Sequence, residues 1–84
     1  MNIQDFIKRR KYLVWSTQNY DGLSTEAIVE AVLNYGDFDD VKKMISILGI
    51  KGVAAIFRKQ IKHKRVNYDL KIINYFRRYF QKYA

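Results

Sequence analysis

Proline is absent from this chain, and its four glycines stand at positions 22, 36, 49 and 52. This leaves little of the turn chemistry that β-hairpins need, so the sequence favours helices joined by short turns. A length of 84 residues allows one hydrophobic core, and an apolar content of 49% is too high for a disordered chain. The sequence therefore predicts an all-α fold, with a single domain spanning residues 1–84 and about five short helices.

Helix caps and apolar stripes place these helices along the chain. Gly36 and Gly49 are expected to end the second and third helices, because glycine tolerates a positive φ. Each helix has an apolar stripe at helical spacing, which predicts packing around a common core. The predicted helices are 3–15 with Asn2 as cap, 26–35 after Ser24 or Thr25, 38–48 with Asp37 as cap, 51–62, and 67–83.

The last predicted helix separates two kinds of side chain on a wheel of about 100° per residue. One side is expected to pack inward and the other to bind a partner or face solvent. The inward side carries Asp69, Ile72, Ile73, Phe76, Tyr79, Phe80 and Tyr83. The outward side carries Lys71, Tyr75, Arg78 and Lys82.

Charge is distributed very unevenly along the chain. Residues 1–50 have a net charge of −1, whereas residues 51–84 have a net charge of +9 with Asp69 as their one acid. Such a field attracts nucleic acid, anionic lipid or an acidic protein face. The second half of the chain is therefore expected to meet an anionic partner.

The residues that usually carry catalysis are scarce. Cysteine is absent, His63 is the single histidine and lies within a basic run, and no glycine-rich phosphate loop is present. Asp37, Asp39 and Asp40 have the oxygen ligands that magnesium or calcium prefers, but helix capping accounts for them more simply. We therefore expect no enzymatic activity, no catalytic residue, no metal site and no cofactor.

Localisation is predicted from three absences. A chain without cysteine fits a reducing compartment. No apolar run approaches the roughly 20 residues that span a bilayer, and the amino terminus lacks the apolar stretch of a signal peptide. The expectation is a cytoplasmic protein with no membrane partner.

Basic side chains interleaved with an aromatic ring are the candidate binding residues, because cations bind phosphate and rings stack on bases. The cluster Lys8, Arg9, Arg10 and Lys11 is a further candidate phosphate contact, and Tyr12 and Trp15 are expected to be core or interface anchors. A helix pair around Gly49 also has the outline of a helix-turn-helix, with Lys51 at the opening of its second helix. The predicted partner-binding or nucleic-acid-binding residues are Lys51, Arg58, Lys59, Lys62, Lys71, Tyr75, Arg78 and Lys82.

Three stretches of the chain resemble a family of small bacterial and archaeal proteins that are frequently encoded beside nucleotidyltransferase-fold toxins of the abortive-infection type. The likeness lies in Tyr12 to Trp15, in Ile28 to Lys42 with its Leu-x-Tyr-Gly-Asp turn, and in Asn74 to Phe80. The chain departs from the family pattern at Ser16, Ala31 and Phe76, where the family tends to have Asp, Arg and Trp.

The resemblance implies an antitoxin that binds and neutralises a partner enzyme acting on RNA. We accordingly predict an antitoxin-like binding module that contacts an acidic protein, such as a nucleotidyltransferase-like toxin, through its basic helical face. The alternative is direct binding of DNA or RNA, as in a small repressor or an RNA-binding accessory protein. Inhibition of a nuclease is a third hypothesis.

Overall fold

The computed structural model describes residues 2–14, 22–63 and 66–84. Its regular structure consists of α-helices and one short 3₁₀ helix, with no strand among the described residues, which confirms the all-α class. The elements are α1 (Ile3–Lys8), the 3₁₀ helix Lys11–Leu13, α2 (Thr25–Tyr35), α3 (Phe38–Leu48), α4 (Ile50–Ile61) and α5 (Leu70–Tyr83).

The predicted helix starts are confirmed where a side chain caps them. Asn2 accepts from the Asp5 amide at 2.8 Å, and Ser24 accepts from the Ala27 amide at 3.1 Å. At α3 the cap is a reciprocal capping box, in which Asp37 accepts from the Asp40 amide and the Asp40 carboxylate accepts from the Asp37 amide. These caps satisfy amides that have no partner inside their own helix.

Two helix ends differ from the prediction. The first helix ends at Lys8 and is followed by a 3₁₀ turn, whereas the sequence predicted one helix to residue 15. Trp15, which was expected to be an anchor, lies outside the described residues. The last helix begins at Leu70 and not at Asn67, because the Asn67 carbonyl accepts from Asn34 at 3.0 Å and Tyr68 is buried in the core.

The two helix-ending glycines act for different reasons. Gly49 has a φ of 83°, as predicted, and it alone joins α3 to α4. That junction is shorter than the three or four residues of a helix-turn-helix, so the predicted outline is wrong. Gly36 has an extended backbone, and a Cβ there would lie 2.7 Å from the Val32 carbonyl oxygen, so close approach and not a positive φ requires glycine.

One core joins all five helices. α2 packs against α3 and α4, α1 packs against α2 and α3, and α5 packs mainly against α4. Phe57 of α4 is central, with its ring centroid 5.5 Å from those of Tyr68 and Phe80 and 6.2 Å from that of Phe76. This arrangement places α5 on the outside of the bundle, where much of its surface remains exposed. No helix in the described part of the chain is long and apolar enough to cross a membrane.

Candidate functional site

An open groove runs along the outer side of α5. Its volume is about 730 Å³, within the range of roughly 300–1,000 Å³ found for ligand clefts. Four of the residues that line it were predicted from the sequence as a binding set. The lining residues, hereafter the α5 groove, are Phe38, Lys71, Asn74, Tyr75, Arg78, Tyr79, Lys82 and Tyr83.

Helical spacing brings the four predicted residues together. Lys71, Tyr75, Arg78 and Lys82 follow one another at intervals of four, three and four, so they share one face of α5. Tyr79 continues the tyrosine row one turn beyond Tyr75. The predicted contiguity of these cations around an aromatic ring is thus present in the folded chain.

The aromatic rings of the α5 groove form a continuous row. The ring of Tyr75 lies nearly parallel to that of Tyr79, at 16° with a centroid distance of 6.3 Å. Tyr79 in turn lies 4.9 Å from Tyr83, and Phe38 of α3 meets Tyr79 edge-on at 6.0 Å. Tyr75 and Tyr83 are 53% and 55% exposed, so both offer ring surface to a partner.

The α5 groove is positive throughout. Three of its lining residues are cations and none is an acid. Within the described part of the chain no carboxylate forms an ion pair with Lys71, Arg78 or Lys82, although the Lys82 ammonium lies 5.3 Å from the centre of the Tyr83 ring. An anionic partner would therefore not have to displace an internal acid.

A further cation lies beside the α5 groove and was not predicted. The Lys42 ammonium lies 5.0 Å from the centre of the Phe38 ring, which itself lines the α5 groove. Both residues belong to the first half of α3, about 30 positions before α5. Periodicity within a single helix carries no signal for such a neighbour.

Three basic residues of α4 and the one that follows its last residue do not line the α5 groove. All four are exposed, as the apolar stripe of α4 predicts. The sequence placed them in one binding set with the residues of α5, and their part in binding stays a prediction. These residues, hereafter the α4 cations, are Lys51, Arg58, Lys59 and Lys62.

The inward side of α5 is narrower than predicted. Phe76 and Phe80 are buried and Ile72 and Ile73 are partly buried, whereas Asp69 and Tyr83 are exposed. The reason is that α5 packs mainly on one neighbour, so only a narrow stripe is covered. Tyr79 is partly buried against the core and also lines the groove, whereas Tyr83, which the sequence assigned to the inward side, is exposed.

Phe38 is an apolar residue of α3 that stays open to the surface. It is 44% exposed although apolar residues follow it at helical spacing. It occupies the first helical position, directly after the N-cap Asp37, where the chain has just entered the helix from the surface. The capping pattern around Asp37 was the signal that could have indicated an outer position.

Asp40 anchors the amino-terminal segment, a role that capping alone did not predict. Its carboxylate is 4% exposed and accepts from Arg10 Nε at 2.8 Å and from the Tyr12 hydroxyl at 2.8 Å. Burial by itself raises the pKa of such a carboxyl. The hydrogen bonds from Arg10, Tyr12 and the Asp37 amide outweigh it and hold the pKa of Asp40 below its usual value.

This cluster bears on two predictions about the amino-terminal segment. Arg10 was a candidate phosphate contact, but its guanidinium pairs with Asp40 and lies 4.2 Å from the centre of the Phe6 ring. Tyr12 was expected to be a core or interface anchor; its exposure excludes the core position, its hydroxyl is held by Asp40, and the interface role stays a prediction. The same bond raises the pKa of Tyr12.

The remaining candidate residues, the single histidine and the aspartates at the start of α3, have other structural positions or roles. His63 is exposed, as predicted. Asp37 and Asp40 cap α3, which confirms the capping interpretation. In the described ranges, no group of three or more histidine, aspartate or glutamate side chains could hold a metal ion.

The stretches that carry the family resemblance are largely structural. Ile28 to Lys42 contributes α2, the turn at Gly36 and the capping box, while Asn74 to Phe80 contributes the buried Phe76 and Phe80. The antitoxin-like function implied by the resemblance stays a prediction. Comparison of the chain with protein family models, with curated proteins and with solved structures finds no match.

Proposed function

We propose that this chain is a non-catalytic binding protein that holds nucleic acid in the α5 groove. The observation that supports it is the alternation of cations and exposed rings along one helix face without any acid. Cations neutralise phosphates, and rings provide flat surfaces for bases. This gives the direct-binding hypothesis more structural support than the antitoxin hypothesis has.

The charge of the whole chain supports the same proposal. Residues 51–84 carry a net charge of +9, so their field extends over about 8–10 Å at physiological salt. Such a field accelerates the encounter with a polyanion before any contact is made. The α5 groove would then bind the nucleic acid that the positive field attracts.

Fluorescence anisotropy with a labelled oligonucleotide of about ten nucleotides tests the proposal, since single-strand binding modules cover roughly 4–16 nucleotides. Neutralising three or four phosphates predicts a log-log salt slope of roughly −2 to −3 on a single strand and −3 to −4 on a duplex. Titrations at about 50 mM and 200 mM salt measure this slope.

Charge-matched variants separate the α5 groove from net charge. The groove variant changes Lys71, Arg78 and Lys82 to glutamine, and its control changes Lys51, Arg58 and Lys59 to glutamine. Both variants lose three positive charges, but only the first removes charges that line the groove. We expect the groove variant to lose far more affinity. Equal losses, or no binding by the parent chain at low salt, would refute the proposal.

The α4 cations favour a second candidate, the antitoxin-like binding of an acidic protein. Lys51, Arg58, Lys59 and Lys62 are exposed outside the α5 groove, and a broad basic surface without rings suits an acidic protein face. The partner that this candidate requires is an enzyme with an acidic surface, such as a nucleotidyltransferase-fold toxin.

Co-expression with the product of a neighbouring toxin-like gene tests this second candidate. The expected result is stoichiometric co-elution that the Lys51, Arg58 and Lys59 glutamine variant weakens and the groove variant leaves intact. Separate elution of the two proteins contradicts it. The groove variant is expected to weaken oligonucleotide binding but not co-elution, and the Lys51, Arg58 and Lys59 variant is expected to weaken co-elution most. Comparing these two variants in both assays therefore distinguishes the two candidate functions.

A further inference from the structure

We infer that the α5 groove binds single-stranded nucleic acid by stacking unpaired bases on Tyr75, an inference that rests on the proposed function. Tyr75 is the residue at which a cationic row and an aromatic row coincide, since it lies between Lys71 and Arg78 and starts the row to Tyr83. A protein that binds a duplex needs the cations to contact phosphates, but the bases of a duplex are paired and do not stack on a row of exposed rings.

The exposure of the tyrosine row supports a partner with flat faces. Tyr75 is more than half exposed. The planes of the Tyr75 and Tyr79 rings are nearly parallel, with an angle of 16° between them. Unpaired bases offer a π-face that such a ring can cover, whereas paired bases already stack on their neighbours. The row of tyrosine rings therefore favours single-stranded over double-stranded nucleic acid.

The surrounding charges favour nucleic acid over an acidic peptide. Lys71, Arg78 and Lys82 can neutralise phosphates or carboxylates equally well, but carboxylate side chains have no extended face to stack on Tyr75. Lys42 lies next to Phe38 on the α3 side, so a further cation stands beside the groove. The occupant that uses both the rings and the cations is a strand of bases linked by phosphates.

The length of the groove sets the size of the bound segment. From Lys71 to Tyr83 the helix rises about 18 Å, at roughly 1.5 Å per residue. At about 3.4 Å per stacked nucleotide, this corresponds to roughly five nucleotides. The proposed site is thus a short, sequence-tolerant platform, because every base has a face that a tyrosine can cover.

An abasic oligonucleotide separates base stacking from phosphate binding. The parent chain is titrated with a single-stranded DNA of about ten nucleotides, with the corresponding abasic strand, with its duplex and with poly-glutamate. We expect the base-bearing strand to bind most tightly. Equal binding of the abasic strand, tighter binding of the duplex, or equal binding of poly-glutamate would overturn the inference.

Variants of Tyr75 complete the experiment. Tyr75→Ala is expected to weaken binding of the base-bearing strand by roughly 5- to 150-fold and to leave the abasic strand unaffected, whereas Tyr75→Phe stays within about twofold. Tyr35→Ala is the control, because Tyr35 is exposed and does not line the groove. Circular dichroism melts check that each variant is folded. Binding that Tyr75→Ala leaves unchanged would contradict the assignment.

The outcomes also separate this inference from the proposed function. If the abasic and base-bearing strands bind equally and the groove variant weakens both, the groove binds phosphates and only the stacking on Tyr75 fails. If neither strand nor the duplex binds at low salt, the proposed function and the inference both fail. An RNA strand of the same length identifies which sugar the groove prefers, and tighter binding of either base-bearing single strand than of the abasic strand supports the inference.

Discussion

Asp40 is the residue at which local capping and long-range packing meet. Its carboxylate accepts from the Asp37 amide within α3 and from Arg10 and Tyr12, about 30 positions earlier in the chain. One side chain therefore connects the amino-terminal segment to the start of α3. Removing one partner of a buried charge pair leaves the other without compensation.

Asp40→Asn is predicted to lower the free energy of unfolding by about 3 kcal/mol at neutral pH, because it removes the charge that pairs with Arg10 and accepts from the Tyr12 hydroxyl. Urea unfolding at pH 7 measures the loss. Asp39→Asn is the matched control, since Asp39 lies in the same first turn and is exposed. Similar losses in the two variants would contradict the role given to Asp40.

The pH dependence of this difference follows from the lowered pKa of Asp40. A carboxyl with a lowered folded-state pKa contributes stability above its unfolded pKa of about 3.9, and this stability is lost as the pH falls through the folded-state pKa. The difference in the free energy of unfolding between the parent chain and Asp40→Asn should therefore disappear at acidic pH. Unfolding curves between about pH 2 and pH 7 test this, and a constant gap would exclude the linkage.

Substitution by alanine is expected to change the stability of the fold in opposite directions at Gly36 and at Gly52. At Gly36 the added Cβ would lie 2.7 Å from the Val32 carbonyl oxygen and 3.1 Å from the Asp40 Cβ, so the turn before α3 must shift. At Gly52, inside α4, the Cβ would meet nothing within 4 Å. We expect Gly36→Ala to destabilise the fold by about 1–3 kcal/mol and Gly52→Ala to stabilise it by up to about 1 kcal/mol.

Thermal unfolding of the two alanine variants, side by side, checks this prediction. A stabilisation of about 1 kcal/mol corresponds to a rise in Tm of roughly 4–8 °C for a domain of this size. A Tm of Gly36→Ala at or above that of the parent chain would show that close approach is not what requires glycine at position 36.

At the scale of elements, α5 shows why a helical wheel alone misassigns residues. The wheel ranks positions by direction, but burial depends on how many neighbours the helix has. α5 packs mainly against α4, and the region opposite Phe76 and Phe80 is left open as the groove. Tyr79 and Tyr83 stand at the border between the covered stripe and the cationic face, so a second neighbouring helix would have buried them.

Phe80→Ala and Tyr83→Ala test this division of α5. Phe80 is buried against Phe57, so its truncation is expected to cost about 3–5 kcal/mol. Tyr83 is half exposed and contacts Tyr79, so its truncation is expected to cost less than about 1 kcal/mol. Denaturant unfolding separates the two. A large loss of stability from Tyr83→Ala would restore the original assignment of Tyr83 to the core.

The first helix shows tertiary structure overriding a local pattern. The apolar residues Phe6, Ile7, Leu13 and Val14 are all buried, as a continuous helix would also allow. The chain nevertheless leaves α1 after Lys8, and the following residues place Arg10 and Tyr12 on Asp40. The energy of these long-range bonds competes with helix propensities that differ by only tenths of a kcal/mol per residue.

At the scale of the whole molecule, an excess of positive charge acts on stability and binding in opposite directions. A formal net charge of +8 on 84 residues repels itself in the folded chain, and salt screens this repulsion. We predict that raising the salt concentration from about 50 mM to 500 mM increases Tm by roughly 3 °C. The same change should weaken oligonucleotide binding.

Calorimetry or circular dichroism melts at the two salt concentrations measure this effect. The groove variant, with three fewer charges, is the control and should show a smaller increase in Tm. A Tm that falls with salt would indicate that favourable surface ion pairs outweigh the repulsion. The buried Arg10–Asp40 pair is expected to change little, since burial limits screening.

The sequence by itself determined the features whose causes act within about four residues. These are the all-α class, the caps at Ser24 and Asp37, the positive φ of Gly49, and the shared face of the α5 cations. Each depends on backbone hydrogen bonds or on helical spacing, and both are local. The net charge of the second half is likewise a property of composition alone.

Only the tertiary structure decided which of these local features meet. It brought Phe38 to the α5 groove with Lys42 beside it, separated the α4 cations from the groove, and paired Asp40 with Arg10. These relations depend on how the helices are arranged around Phe57, which no periodicity within one helix encodes. The distance between paired residues along the chain is the physical reason, because helical spacing relates side chains of the same helix only.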